Sequence, residues 1–228
     1  MDRRVRNGIR GSISGAACLM VAACGSGGDP VASAGSEAGA VPEAVTDTGD
    51  ASDLDWRRVA TSGDRGRLRG WRGAWVDALA QADRREVARD PVLFDPDHAL
   101  VDPLPPPGTY RCRTFKLGAR SGTGLSFVGY GWFSCRVGRG ADGASIDFAK
   151  LDGSQRPVGR IFLDTNARGI FLGTMELGDE TRPMAYGRDG NRDMAGVFER
   201  IAPQRWRLVL PYPKFESILD VIELVPAA

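Results

Sequence analysis

From Gly108 to the C-terminus the apolar residues recur with a period of two, in short runs cut by Gly-, Asp- and Ser-rich clusters. Alternation of this kind suits half-buried strands and suits helices poorly. The runs are Gly108–Leu117, Leu125–Val137, Ser145–Leu151, Val158–Leu163, Gly169–Leu177, Met194–Ile201, Arg205–Leu210 and Leu219–Val225, with Met184–Tyr186 a weaker addition. Turn clusters lie between them, such as Ser121-Gly122-Thr123-Gly124, Gly138 to Gly143, Asp152-Gly153-Ser154, Asp164-Thr165-Asn166 and Gly187 to Asp193. About eight strands joined by tight turns predict an antiparallel meander. Closure into a barrel removes the exposed edges, so the expected fold is mainly β, a lipocalin-like barrel over residues 108–225.

One amphipathic helix is expected before it. Leu68, Trp71, Trp75, Leu79 and Ala82 recur at three- and four-residue steps, which predicts a helix from about Asp64 to Ala88 capped by Ser62 or Asp64. The two tryptophans suit a core stripe covering part of the barrel's outer face. Asp90-Pro91 ends the helix, and the prolines between Val92 and Pro107 mark a crossing loop that cannot join a sheet interior.

The N-terminal part is of a different kind. Arg3, Arg4, Arg6 and Arg10 precede a short, weakly apolar stretch, and Val21-Ala22-Ala23-Cys24 reads as a lipobox. Residues 1–23 are expected to be a lipoprotein signal peptide, with Cys24 carrying the lipid that anchors the chain to a membrane. An ordinary cleaved signal peptide with an incidental cysteine is the blander alternative. Gly25 to Asp55 holds seven acidic residues, no Lys or Arg, no aromatic residue and almost no branched apolar one. Such a segment cannot bury enough surface to offset its ordering entropy, so residues 24–55 are expected to form a disordered acidic tether. Residues 56–228 then make one folded domain.

Loss of residues 1–23 takes the formal charge from +1 to −2, and the acidic tether leaves +5 on residues 56–228. A mild excess without concentrated basic patches, on an exported chain, excludes nucleic acid as a partner. The expected location is the bacterial cell envelope, facing the periplasm from the outer membrane, since no Asp follows Cys24. A monomer is expected. Cys112 and Cys135 form an even pair in an oxidising compartment, which argues for a disulfide. With both thiols bonded and His98 the sole histidine, no metal is expected, and nothing implies a cofactor.

The midpoint of Cys112 and Cys135 falls inside the Ser121–Gly124 turn, so a hairpin folded there sets the two cysteines directly opposite each other. The same register stacks Thr114 on Phe133 and Leu117 on Tyr130, and sets Arg111 beside Arg136 with Arg113 next along. Like charges so placed destabilise a sheet unless an anion or nearby carboxylates screen them. Arg111, Arg113 and Arg136 are therefore candidate ligands of phosphate, sulfate or a carboxylate. A solvated wall whose arginines pair with Asp and Glu of neighbouring strands is the plainer account. Arg156 joins the candidates through the turn Gly153-Ser154-Gln155-Arg156-Pro157, a rim able to contact a ligand or partner, although Gly and Pro also serve the turn itself. The second run places Leu125, Phe127, Gly129, Gly131 and Phe133 inward; its glycines either leave room for a ligand or let the sheet curl.

Several blocks resemble a bacterial family known as domain-of-unknown-function family 4893. They are Tyr110-Arg111-Cys112-Arg113, Lys116-Leu117-Gly118, Gly153 to Pro157, Phe171-Leu172-Gly173, Glu199-Arg200-Ile201, Arg205-Trp206-Arg207-Leu208 and Leu219 to Leu224. The likeness spans roughly Trp56 to the C-terminus. It implies an envelope protein and supplies no catalytic residue.

No Gly-x-Ser-x-Gly elbow, His-Glu-x-x-His or phosphate-cradling glycine loop occurs. Asp189-Gly190-Asn191-Arg192-Asp193 begins like a calcium loop, but Met194 and Arg200 stand where Gly and Glu are needed, so an Asx-turn hairpin is expected. The expected function is non-catalytic binding of a small ligand or an envelope protein. The alternatives are a structural or inhibitory interaction protein with a solid barrel core, and an enzyme.

Overall fold

The computed structural model describes residues 55–121 and 124–227. The expected signal peptide, the expected lipid site at Cys24 and the expected tether up to residue 54 lie outside the described residues. Nine strands form one antiparallel sheet: β1 (Gly108–Ala119), β2 (Phe127–Gly129), β3 (Phe133–Arg139), β4 (Ile146–Lys150), β5 (Gln155–Thr165), β6 (Arg168–Leu177), β7 (Asp193–Ala202), β8 (Arg205–Pro211) and β9 (Ser217–Pro226). Strands β3 to β9 follow one another as a meander, and β9 returns to pair with β1 from Tyr110↔Pro226 to Ala119↔Ser217. Eight strands thus close a barrel, and β2 is an extra strand on the upper part of β1.

Alternation sorts the side chains into two cores. Inside the barrel lie Tyr110, Val137, Phe148, Ile161, Phe171, Phe198, Leu208, Ile222 and Leu224. Phe148 and Phe171 meet edge to face at 5.8 Å, as do Tyr110 and Trp206 nearer one end. On the outside, Phe115, Leu117, Leu172, Val197, Val209, Leu219 and Val221 are also buried, because Leu68, Trp71, Trp75 and Ala78 cover them. Strands buried on both faces read as near-continuous apolar runs, and Val209, Leu210, Val221 and Ile222 are of that kind.

The expected single helix is a broken series: α1 (Trp56–Val59), α2 (Ser62–Arg69), α3 (Trp71–Gln81) and α4 (Arg84–Ala88). Thr61 caps α2 in place of Ser62 or Asp64, its hydroxyl accepting from the Asp64 amide at 3.2 Å. Gly70 leaves helical geometry between α2 and α3, and Ala82 turns extended before Asp83 caps α4. Breaking the helix lets its pieces follow the curve of the barrel while Trp71 and Trp75 stay in the covering stripe.

The crossing loop is held by Arg207, on the outer face of β8. Its side chain is fully buried and donates to the carbonyls of Leu93 (2.9 Å), Asp95 (2.7 Å) and His98 (3.0 Å). Glu199, equally buried, pairs with it at 2.7 Å. Met184–Tyr186 is not a strand; the Tyr186 hydroxyl donates to Asp64 at 2.6 Å.

The Cys112–Cys135 disulfide is present, but the hairpin register differs from the expectation. Cys112 lies opposite Phe133, and Cys135 opposite Tyr110, so the bridge runs diagonally with Cα atoms 5.9 Å apart. The second run is two strands, because Tyr130-Gly131-Trp132 leaves the ladder and the register slips by one residue between Phe115↔Gly129 and Cys112↔Phe133. The expected inward series is therefore broken. Phe133 faces the interior, Phe127 packs on Phe94 in the outer core, and Leu125 and Gly131 are exposed.

Candidate functional site

The division of β1 between two partners opens one end of the barrel. Its lower half pairs with β3, which begins only at Phe133, and its upper half pairs with the short β2. The gap leaves a mouth holding a cavity of about 390 Å³. Thr114 and Lys116 reach it from β1, Phe133 from β3, Lys150 from β4, Gln155 and Pro157 from β5, Met175 from β6, Leu210 from β8, and Asp220 and Ile222 from β9. All are even or odd members of the inward set of their strand, which is why residues so distant in sequence converge. Below the mouth the interior is filled by the aromatic layers, so the cavity has a floor.

Two lysines enter this space, and their surroundings differ. Lys116 Nζ lies 3.3 Å from Asp220 Oδ2 and 3.4 Å from Glu216 Oε2. The Ser217 hydroxyl donates to the other Asp220 oxygen. Burial pushes the Asp220 carboxyl above its ordinary range, and the Lys116 ammonium opposes that rise. Glu216 sits at φ +65, a left-handed conformation unusual for a residue with a side chain, and its carbonyl accepts from the Arg120 amide at 3.0 Å.

Lys150, only 4% exposed, donates instead to the carbonyls of Asp152 (2.6 Å) and Gln155 (3.1 Å). Its ammonium stands 3.7 Å from the centre of the Phe133 ring. Burial lowers its pKa to about 8; Arg156 adds to the fall, and the Asp152 carboxylate works against it. Gly153, at φ +85, lets the β4–β5 turn close on this amine, since a Cβ there would lie 2.7 Å from Nζ and 3.1 Å from the Phe133 ring.

Arg111 and Arg136 do not face each other as the expected register sets them. Arg111 lies opposite Ser134 and Arg136 opposite Thr109, both on the outer wall. Arg111 and Arg113 do meet, each with its guanidinium 4.8 Å from the centre of the Trp132 ring. Arg113 is already paired with Glu223, and Asp90 lies 3.6 Å away; Arg205 shares both carboxylates. Arg156 turns outward to Glu176 (3.2 Å) and to the carbonyls of Leu177 (2.7 Å) and Glu180 (2.8 Å). Its neighbours Gly153, Ser154, Gln155 and Pro157 line the mouth, so the turn singled out in the sequence contributes everything except its arginine.

Asp189 accepts from the Asn191 amide at 2.9 Å in an Asx turn, and among the described residues no group of three or more side chains is placed to hold a metal. The His98 ring contacts the Ile201 carbonyl at 2.9 Å. Lys116, Lys150 and Asp220 are the site residues that sequence reasoning missed. One signal was present: the chain has 27 arginines and three lysines, and two of those three share this cavity.

A family model described as domain of unknown function (DUF4893) matches residues 56–224. The chain belongs to this family. The DUF4893 match takes in the helical cover, the barrel and every lining residue of the mouth. No curated protein matches the chain.

Proposed function

We propose that this chain is an envelope lipoprotein, anchored through a lipid on Cys24, whose barrel binds a small ligand in its mouth without transforming it. One observation carries the reading: a floored cavity of about 390 Å³ in which apolar side chains and convergent polar and charged groups share the wall about equally. Ligand sites have this size and combine both kinds of group. The rest of the interior is packed solid, so the space at the mouth is a local feature of these strands. A protein partner seated on the same rim is the second reading, favoured by exposed Leu125, Tyr130, Trp132 and Leu151 in the segments around that end.

Native mass spectrometry of the gently purified protein separates the two. A small-molecule adduct that vanishes in Thr114→Trp, a substitution that fills the cavity from β1, supports the ligand reading. An adduct-free mass together with a partner protein cross-linked to the rim overturns it in favour of the second.

A further inference from the structure

The mouth holds two lysines and two carboxylates, but both carboxylates sit on one lysine, and that uneven pairing names a ligand class. Lys116 is answered by Asp220 and Glu216. Lys150 has no carboxylate oxygen within 4.0 Å among the described residues; its partners are two neutral carbonyls and an aromatic face. An ammonium has three N–H donors, and these carbonyls take two. A buried cation without a counter-ion is costly, and that cost is relieved when a charge of opposite sign enters the site.

Resting on the reading of the mouth as a ligand site, we propose that the ligand is a monoanionic amphiphile, its carboxylate on Lys150 and its apolar body on Phe133, Pro157, Met175 and Ile222. A single negative charge matches the one lysine of the mouth that has no carboxylate oxygen within 4.0 Å among the described residues. A dianion would bring a second charge toward Asp220 and Glu216, whose one cationic partner is already engaged. Apolar side chains from β3, β5, β6 and β9 line the same cavity, so a molecule with a charged head and an apolar body satisfies both kinds of surface. The other ionisable groups near Lys150 are Asp152 and Arg156, which act on it with opposite sign, and Tyr130 at the cavity rim.

Decanoate and uncharged decan-1-ol, titrated calorimetrically into the purified full chain, test the assignment. Decanoate is expected to bind at least tenfold more tightly, and Lys150→Gln to remove that preference. Lys116→Gln should not remove it. In wild type near pH 9, decanoate should bind with proton uptake, seen as a dependence of the heat on the buffer's ionisation enthalpy; this readout needs no variant to fold. Equal affinity for the two probes, a preference that survives Lys150→Gln, or binding without proton uptake overturns the ligand class and leaves the ligand site standing. If neither probe binds and the native protein also carries no small molecule, the ligand-site reading falls with it.

Discussion

At the scale of single residues, the mouth separates two lysines by what answers their charge. Lys116 forms a buried pair, and Lys150 is held by carbonyls and an aromatic face, with its pKa lowered to about 8. The consequence for stability has a definite sign. A folded-state pKa below the unfolded one means that the unfolded chain binds more protons between about pH 8 and 10.5, so folding stability rises with pH across that window. The full effect corresponds to roughly 3 kcal/mol, of which roughly 2 kcal/mol falls between pH 7.5 and 9.5. Lys150→Met removes the titration. Urea unfolding of both proteins should therefore show wild type gaining about 2 kcal/mol relative to the variant from pH 7.5 to 9.5. A difference in stability that stays flat with pH would show that Lys150 titrates normally. Tyr110, Tyr186 and Tyr212, all raised by burial, act in the opposite direction at still higher pH and set the upper limit of the useful range.

At the scale of elements, the most consequential contact away from the mouth is the Arg207–Glu199 pair under the crossing loop. It ties β7 and β8 to a segment whose prolines keep it out of the sheet. Removing Arg207 leaves the buried Glu199 with only Arg168, 4.0 Å away, so Arg207→Ala should destabilise by about 3–5 kcal/mol. Replacing both, as Arg207→Met with Glu199→Leu, should recover part of the loss, though the loop carbonyls stay unpaired. Chemical denaturation of the single and double variants checks this; a double variant no more stable than the single would show that the carbonyls, not the charge, dominate. These elements also mark where the sequence could be read. The alternation from Gly108 onward located the strands to within a few residues, and the Trp71/Trp75 stripe located the outer cover. The helix breaks at Gly70 and Ala82 were illegible because the apolar stripe runs unbroken through them, and fitting to a curved wall is a tertiary demand. The hairpin register failed for a related reason. A midpoint rule assumes continuous pairing, and Tyr130-Gly131-Trp132 leaves the ladder, which moved Arg136 away from Arg111 and made the disulfide diagonal. Lys116 and Lys150 are brought together only by closure of the barrel, which local periodicity does not encode.

At the scale of the whole molecule, the barrel is solid along most of its axis and open at one end. Tyr110 and Trp206 pack edge to face nearer the other end, where the Tyr110 hydroxyl donates to the Pro106 carbonyl at 2.6 Å. If the mouth binds a ligand as proposed, its access to that ligand depends on where the chain is held. The stretch after Cys24 is acidic and free of aromatic residues, and the proposed lipid on Cys24 would hold the domain near a membrane. Cys24 and residues 25–54 lie outside the described residues, so the proposed anchor is a matter for direct chemistry. In a bacterial host, the wild-type chain should take up a fatty-acid analogue and sediment with the membrane fraction. Cys24→Ser should lose the label, and should either appear in the soluble fraction or persist as an unprocessed precursor. The core and the mouth are built from residues 56–226, so the variant's released domain should keep the wild-type melting temperature and the same affinity for any ligand found in the mouth. A wild-type chain that never acquires the label, yet is exported and cleaved, would make residues 1–23 an ordinary signal peptide and Cys24 a bystander. The mouth would then meet any ligand without a lipid on Cys24 to hold it at a membrane.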